Sequence, residues 1–125
     1  MPQIEFYLVT IRKSQVKDYV SFEKLTAIVE ILVRHFGDEF IIRDYCHEAH
    51  GRYKQLHTHM LVETKPGFRY SKYTKILPGF IIHFRRWLSW PWDAVQYIHK
   101  HCCNHCPAQI EQTRQCNYYR YHYAF

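Results

Sequence analysis

Hydrophobic and polar positions along the chain alternate between two periods, one near two residues and one near 3.6. Residues 4–11 (IEFYLVTI) are β-branched and aromatic with no breaker, and predict a strand inside a sheet. A polar connection, RKSQVKDY, follows. Ser21 then precedes FEKLTAIVEILVRHF, where Phe22, Leu25, Ile28, Val29, Leu32, Val33 and Phe36 recur at helical spacing. This predicts a helix of about four turns with one buried face, ended by Gly37. Residues 39–48 and 55–63 read as two strands of a hairpin turning at Gly51. Residues 64–79 contain Pro66–Gly67 and Pro78–Gly79 and predict a basic, aromatic loop with a short helical turn. Residues 80–87 (FIIHFRRW) predict a fourth strand. Residues 93–103 predict a helix capped by Asp93, with Ala94, Val95, Ile98 and Cys102 on its apolar side.

The order strand, helix, strand, strand, loop, strand, helix predicts an α+β fold. It is a single domain over 1–103, an antiparallel sheet with helices packed on one face, in a ferredoxin-like or split arrangement. The second helix of that arrangement is either the late one around Tyr97 or a short one within 64–79. Residues 104–125 lose periodicity and read as a Cys/His/Tyr-rich tail, not a separate domain.

Charge changes the picture only when it is located. The net charge is +6, but residues 1–64 carry 8 Lys/Arg against 9 Asp/Glu, and residues 65–125 carry 9 against 2. The positive balance, and with it the expectation of a polyanionic partner, belongs to the C-terminal half, which also holds all three Trp. No GxxxxGK[ST] phosphate loop occurs, so the chain is not expected to hydrolyse ATP. The apolar run near Met1 is too short for a signal or transmembrane segment, and the five cysteines are odd in number. These features favour a soluble intracellular protein with no membrane partner. Cys103, Cys106, Cys116 and His122 are a conceivable zinc cluster, but their spacing matches no standard module. An aromatic, basic tail that lies on the sheet edge, binds DNA or joins subunits is the preferred reading.

Candidate chemistry gathers at two places. His57 and His59 are separated by one residue on a predicted strand, so both imidazoles share a face and can ligate one cation. Leu56, Thr58 and Met60 then point toward the helix layer. Two solvated histidines on an open sheet face are the bland alternative. The neighbouring hairpin arm offers His47, Glu48 and His50 as a third ligand. Glu48 is preferred because a carboxylate beside two imidazoles leaves positions open around Mg²⁺ or Mn²⁺, although the same set also suits Zn²⁺. His50 shares the parity of Glu48 and is the second choice; His47 lies opposite.

On the late helix, Tyr97, Lys100 and His101 stand at i, i+3 and i+4. A tyrosine phenolate is a competent nucleophile toward a phosphodiester, and a lysine one turn on can offset charge on the transition state. A half-buried packing tyrosine beside a solvated lysine is the plain alternative.

Together these motifs resemble the HUH endonucleases, the replication initiator (Rep) nickases of rolling-circle viruses and plasmids. FYLVT at residues 6–10 is similar to their first motif, LHTHML with His57 and His59 to their second, and YIHK with Tyr97 and Lys100 to their third. The resemblance covers roughly residues 4–103. It implies a Rep-type nuclease fold, with Tyr97 as nucleophile, Lys100 as its helper, and His57, His59 and Glu48 holding a divalent metal, Mn²⁺ or Mg²⁺. Two departures stand out: Thr58 replaces the usual bulky hydrophobic residue, and His101 follows the lysine where many viral members have an acid. In the related single-tyrosine transposases a metal ligand sits four residues after the tyrosine, so His101 is a further candidate for the third ligand.

The activity implied is nicking and rejoining of single-stranded DNA at an origin or hairpin through a 5′-phosphotyrosine. One tyrosine at the site implies a homodimer or a second pass to complete a round, and the lack of an ATPase motif implies a separate helicase. The compartment would be the host cytoplasm or nucleus according to the host. A transposase with the same chemistry and a non-enzymatic single-stranded nucleic-acid-binding module are the alternatives. Lys65, Arg69, Lys72 and Lys75 with Phe68, Tyr70 and Tyr73, and Arg85 and Arg86 with Trp87, Trp90 and Trp92, are the two candidate DNA-contacting patches.

Overall fold

A computed structural model of the chain describes residues 4–15, 18–48 and 55–98. Strand β1 (Glu5–Lys13) leads to helix α1 (Phe22–Phe36), strands β2 (Phe40–Glu48) and β3 (His57–Thr64), a 3-10 turn at Tyr70–Lys72, strand β4 (Phe80–Trp87) and helix α2 (Pro91–Ile98). All pairings are antiparallel and the order across the sheet is β2-β3-β1-β4, as in a ferredoxin-like arrangement.

Local chemistry accounts for the element ends. Ser21 caps α1 by accepting a hydrogen bond from the Lys24 amide at 3.0 Å, and Glu23 in the first turn complements the helix dipole. Gly37 ends α1 in an ordinary right-handed conformation, not the left-handed one usual for a terminal glycine. Its need for glycine is steric: a Cβ there would lie 2.6 Å from the Val33 carbonyl oxygen. Helix α2 starts three residues earlier than Asp93 capping predicts. Pro91 occupies the first helical position, where its fixed φ fits and its missing N–H needs no partner, and Asp93 falls within the first turn.

The sheet has two covered faces, and this is what positions the site. On one, Tyr7, Val9 and Ile11 of β1 and Met60 and Val62 of β3 pack beneath Leu25, Ile28, Val29 and Leu32 of α1. The crossover from β3 to β4 lies on the same side, with buried Tyr73 and half-buried Phe68 joining that core. Thus α1 and the 3-10 turn form the expected helical layer on one face, and the short turn within 64–79 fills the place of the second helix. The late helix is not in that layer. Ala94, Val95 and Ile98 of α2 pack with Leu8, Leu61 and Cys46, the alternate positions that strand geometry directs to the opposite face. The expectation of all helices on one face is corrected for α2. Its apolar stripe is matched to the second apolar row of the central strands, which alternate apolar residues on both sides.

Candidate metal centre

Glu48 ends β2 and His57 begins β3, and the two are cross-strand partners; Cys46 and Thr10 flank His59 in the same way. Directly paired residues point to the same face, so Glu48, His57 and His59 converge on the side of the sheet that α2 covers. One ligand atom from each lies within 4.8 Å of the others. Glu48 Oε1 is 2.9 Å from His59 Nε2 and 3.3 Å from His57 Nε2.

Both imidazoles are oriented from behind. His57 Nδ1–H donates to the Gln55 carbonyl at 2.7 Å, an acceptor that leaves Nε2 as the nitrogen facing Glu48. His59 Nδ1 is 3.0 Å from Thr10 Oγ1, which likewise directs Nε2 into the cluster. Gln55 is itself anchored, its side-chain amide donating to the Gln15 and Asp18 carbonyls at 2.7 and 3.0 Å. Backbone and hydroxyl partners of this kind fix the orientation of metal-binding histidines. Thr10 and Gln55 were not singled out from the sequence; the lone threonine within the apolar run FYLVTI was the available signal for the first.

Charge in the cluster is mutually stabilised. Burial alone raises the Glu48 carboxyl, but its hydrogen bonds to His57 and His59 outweigh this and hold it down to about 2. Burial pulls His57 down, and the Glu48 carboxylate and Gln55 carbonyl lift it above its ordinary value; the nearby Arg12 cation opposes them. The Glu48 carboxylate and the His57 imidazole thus each favour the other's charged form. Glu48 Oε2 is buried with no hydrogen-bond partner among the described residues. A buried carboxylate oxygen left without a donor, beside two oriented imidazole nitrogens, fits a divalent cation that takes two nitrogens and one or two oxygens. The cluster is capable of metal coordination.

His47 is placed as parity requires, on the α1 side. It is a cross-strand partner of Thr58, whose hydroxyl donates to His47 Nδ1 at 2.8 Å. The Thr26 hydroxyl donates to the Phe22 carbonyl, so His47 Nε2–H donates to Thr26 Oγ1 at 3.0 Å. Burial lowers His47 to about 4, so it is neutral and structural. This accounts for Thr58 where a bulky hydrophobic residue was expected: its hydroxyl satisfies a buried histidine.

Tyr97 stands beside the cluster. Its ring centroid is 6.0 Å from His59 and 6.3 Å from Trp87, and the residue is 45% exposed while Ala94, Val95 and Ile98 hold α2 to the sheet. Lys100, His101, His50 and the Cys103, Cys106, Cys116 and His122 cluster lie outside the described residues.

The two basic aromatic patches fare differently. In residues 65–79, Phe68 and Tyr73 are stacked in the core at 5.4 Å, Tyr70 stacks on Phe84 at 5.7 Å and Lys72 pairs with Glu39 at 2.8 Å. Those rings plug the core on the face away from the cluster. Arg85 and Arg86 are split by strand alternation. Arg86 pairs with Glu5 at 3.2 Å on the α1 side, and Arg85 lies over Trp87 at 5.6 Å on the side of the cluster.

The fold and site define a small α+β domain with a buried His/His/Glu cluster facing a tyrosine helix. The crystal structure of the hypothetical protein ORF119 from Sulfolobus islandicus rod-shaped virus 1 is similar, at 20% identity over 77% of this chain and 81% of that one, with a TM-score of 0.50. At that identity the likeness is one of fold. No protein-family model and no curated protein matches the chain.

Proposed function

We propose that the chain is a metal-dependent nickase and strand transferase for single-stranded DNA, of the HUH Rep type, that initiates rolling-circle replication. The observation that carries this reading is the approach of Tyr97 to within a ring contact of His59, in a cluster with His57 and Glu48. A bare metal site needs no tyrosine, and a packing tyrosine needs no oriented histidines.

Glu48, His57 and His59 would hold Mn²⁺ or Mg²⁺, which when bound withdraws charge from a nonbridging phosphate oxygen. The remaining work falls to the protein's own groups. Helix α2, anchored by Ala94, Val95 and Ile98, sets the Tyr97 ring beside His59. The phenolic oxygen attacks phosphorus, the phosphorus–O3′ bond breaks, and the proton lost by the phenol balances the one gained by the departing 3′-hydroxyl. The new bond is again a phosphodiester, so little energy is lost, and attack by a 3′-hydroxyl reverses the step and frees Tyr97. Lys100, three residues on, is assigned to offset phosphate charge.

Incubation of the full chain with labelled single-stranded origin or hairpin oligonucleotides and Mn²⁺ is expected to give an adduct that survives denaturation. Tyr97→Phe should abolish the adduct while DNA binding persists. A binding module without chemistry would instead give no adduct with either protein, and that outcome sinks the enzymatic reading. A transposase of the same superfamily would give the adduct but be encoded between hairpin-bearing element ends.

A further inference from the structure

The turn between β4 and α2 carries large apolar side chains that the fold does not use. Leu88 is 83% exposed and Trp90 is 72% exposed. Isolated exposed apolar residues are ordinary, but this turn is not a loose one. The Trp90 carbonyl accepts from both the Trp87 indole N–H and the Asp93 amide at 3.0 Å, and Pro91 starts α2 immediately afterward. Two large side chains are thus held in water by a tied backbone, next to the indole that contacts Tyr97.

The surroundings identify what the shelf fits. Arg85 lies over Trp87, and Ile81, His83 and Arg85 form an exposed row along β4 on the cluster side. The paired row of β1 contains Thr10 and Arg12. Among the described residues of these two rows there is no carboxylate; Glu5, the acid of β1, is engaged by Tyr7 and Arg86 on the other face. Exposed apolar side chains beside the Arg85 guanidinium suit a ligand that is planar and anionic together, which describes a nucleotide better than an apolar peptide.

We propose that the Trp87–Trp90 turn docks an unpaired nucleobase of the strand whose phosphate meets Tyr97, with Arg85 on the adjoining phosphate. This rests on the nickase reading and adds where the substrate is gripped. Trp90 is a binding residue here, outside the bond-breaking step.

The test uses the full chain carrying Tyr97→Phe, so that binding is measured without chemistry. Two probes are compared by fluorescence anisotropy: a labelled dT 20-mer, and an abasic 20-mer of the same charge. Trp90→Ala is expected to weaken dT binding roughly 5- to 150-fold, the range that stacking on one aromatic ring supports. It should leave the abasic probe unaffected, and Leu88→Ser should act in the same direction. Val33→Ala, on the exposed side of α1, should change neither. Equal dT affinity in Trp90→Ala overturns the proposal. So does an equal loss on both probes, which would assign the shelf to something other than a base, such as a second copy or the chain beyond α2. The two readings fail separately. An adduct in the wild-type chain with Trp90-independent binding removes only the shelf, and Trp90-dependent binding with no adduct removes only the nickase.

Discussion

His47 and Glu48 are chain neighbours with opposite environments and opposite titration. Glu48, held at about 2 by two imidazoles, contributes stability above its unfolded value near 4.5 that is lost as pH falls toward 2. His57, lifted by that carboxylate, contributes fully below pH 6.5, and its contribution is lost as pH rises through the raised value. His47 works the other way. Its folded value of about 4 lies below the unfolded 6.5, so between those limits the unfolded chain takes up a proton that the native protein refuses. Stability of the metal-free protein should therefore fall by about 3 kcal/mol from this residue as pH drops from 6.5 to 4. Urea unfolding across that window should show the limb in the wild type and a flattened one in His47→Gln. An unchanged limb would place the titration elsewhere.

Strand β2 shows where counting along a sequence misleads. Phe40 and Ile42 point to the α1 core, and strict alternation from them would send Glu48 there too. The register instead steps from Ile42 opposite Val62 to Asp44 opposite Leu61, with Arg43 as the extra residue of a β-bulge. That step moves Asp44, Cys46 and Glu48 to the cluster side. Arg43 itself turns out to an exposed pair with Glu63 at 3.0 Å. Deleting Arg43 should then restore regular alternation with Asp44 still facing Leu61 and Glu48 still facing His57. Mn²⁺ affinity by calorimetry is expected to be essentially unchanged, and loss of the exposed ion pair should cost about 1 kcal/mol or less. Loss of Mn²⁺ binding with the circular dichroism intact would mean that the bend of the bulge, beyond its parity, presents Glu48. The rest of the element pattern was legible within a residue or two: the α1 limits, β4 and the turn within 64–79 all lie where apolar period and Pro-Gly pairs put them. The bulge has no such marker, because it arises from pairing with another strand.

Across the whole molecule the sheet acts as a divider. One side holds α1, the crossover and most of the core; the other holds the cluster, α2 and the open row of β4. Arg85 and Arg86 test this division. Under the proposed function, Arg85→Ala should lower the slope of log affinity against log salt for single-stranded DNA by about 0.7. Arg86→Ala, tied to Glu5 on the far face, should leave it unchanged. Equal effects would place the DNA path around the sheet edge. Read along the chain alone, periodicity was enough for the α+β class, the strand order in sequence and the shared face of His57 and His59, because each depends on neighbours within a few positions; Glu48 and Tyr97 were candidates for the chemistry of a carboxylate and a phenol and for the motifs they resemble. The choice of α2's face, the separation of Arg85 and Arg86 onto opposite faces, the consumption of Phe68 and Tyr73 by the core, and the orienting roles of Thr10 and Gln55 came from folding. They depend on which strands pair, in which register and on which side a helix finds a matching apolar row, and those are contacts between residues far apart in sequence.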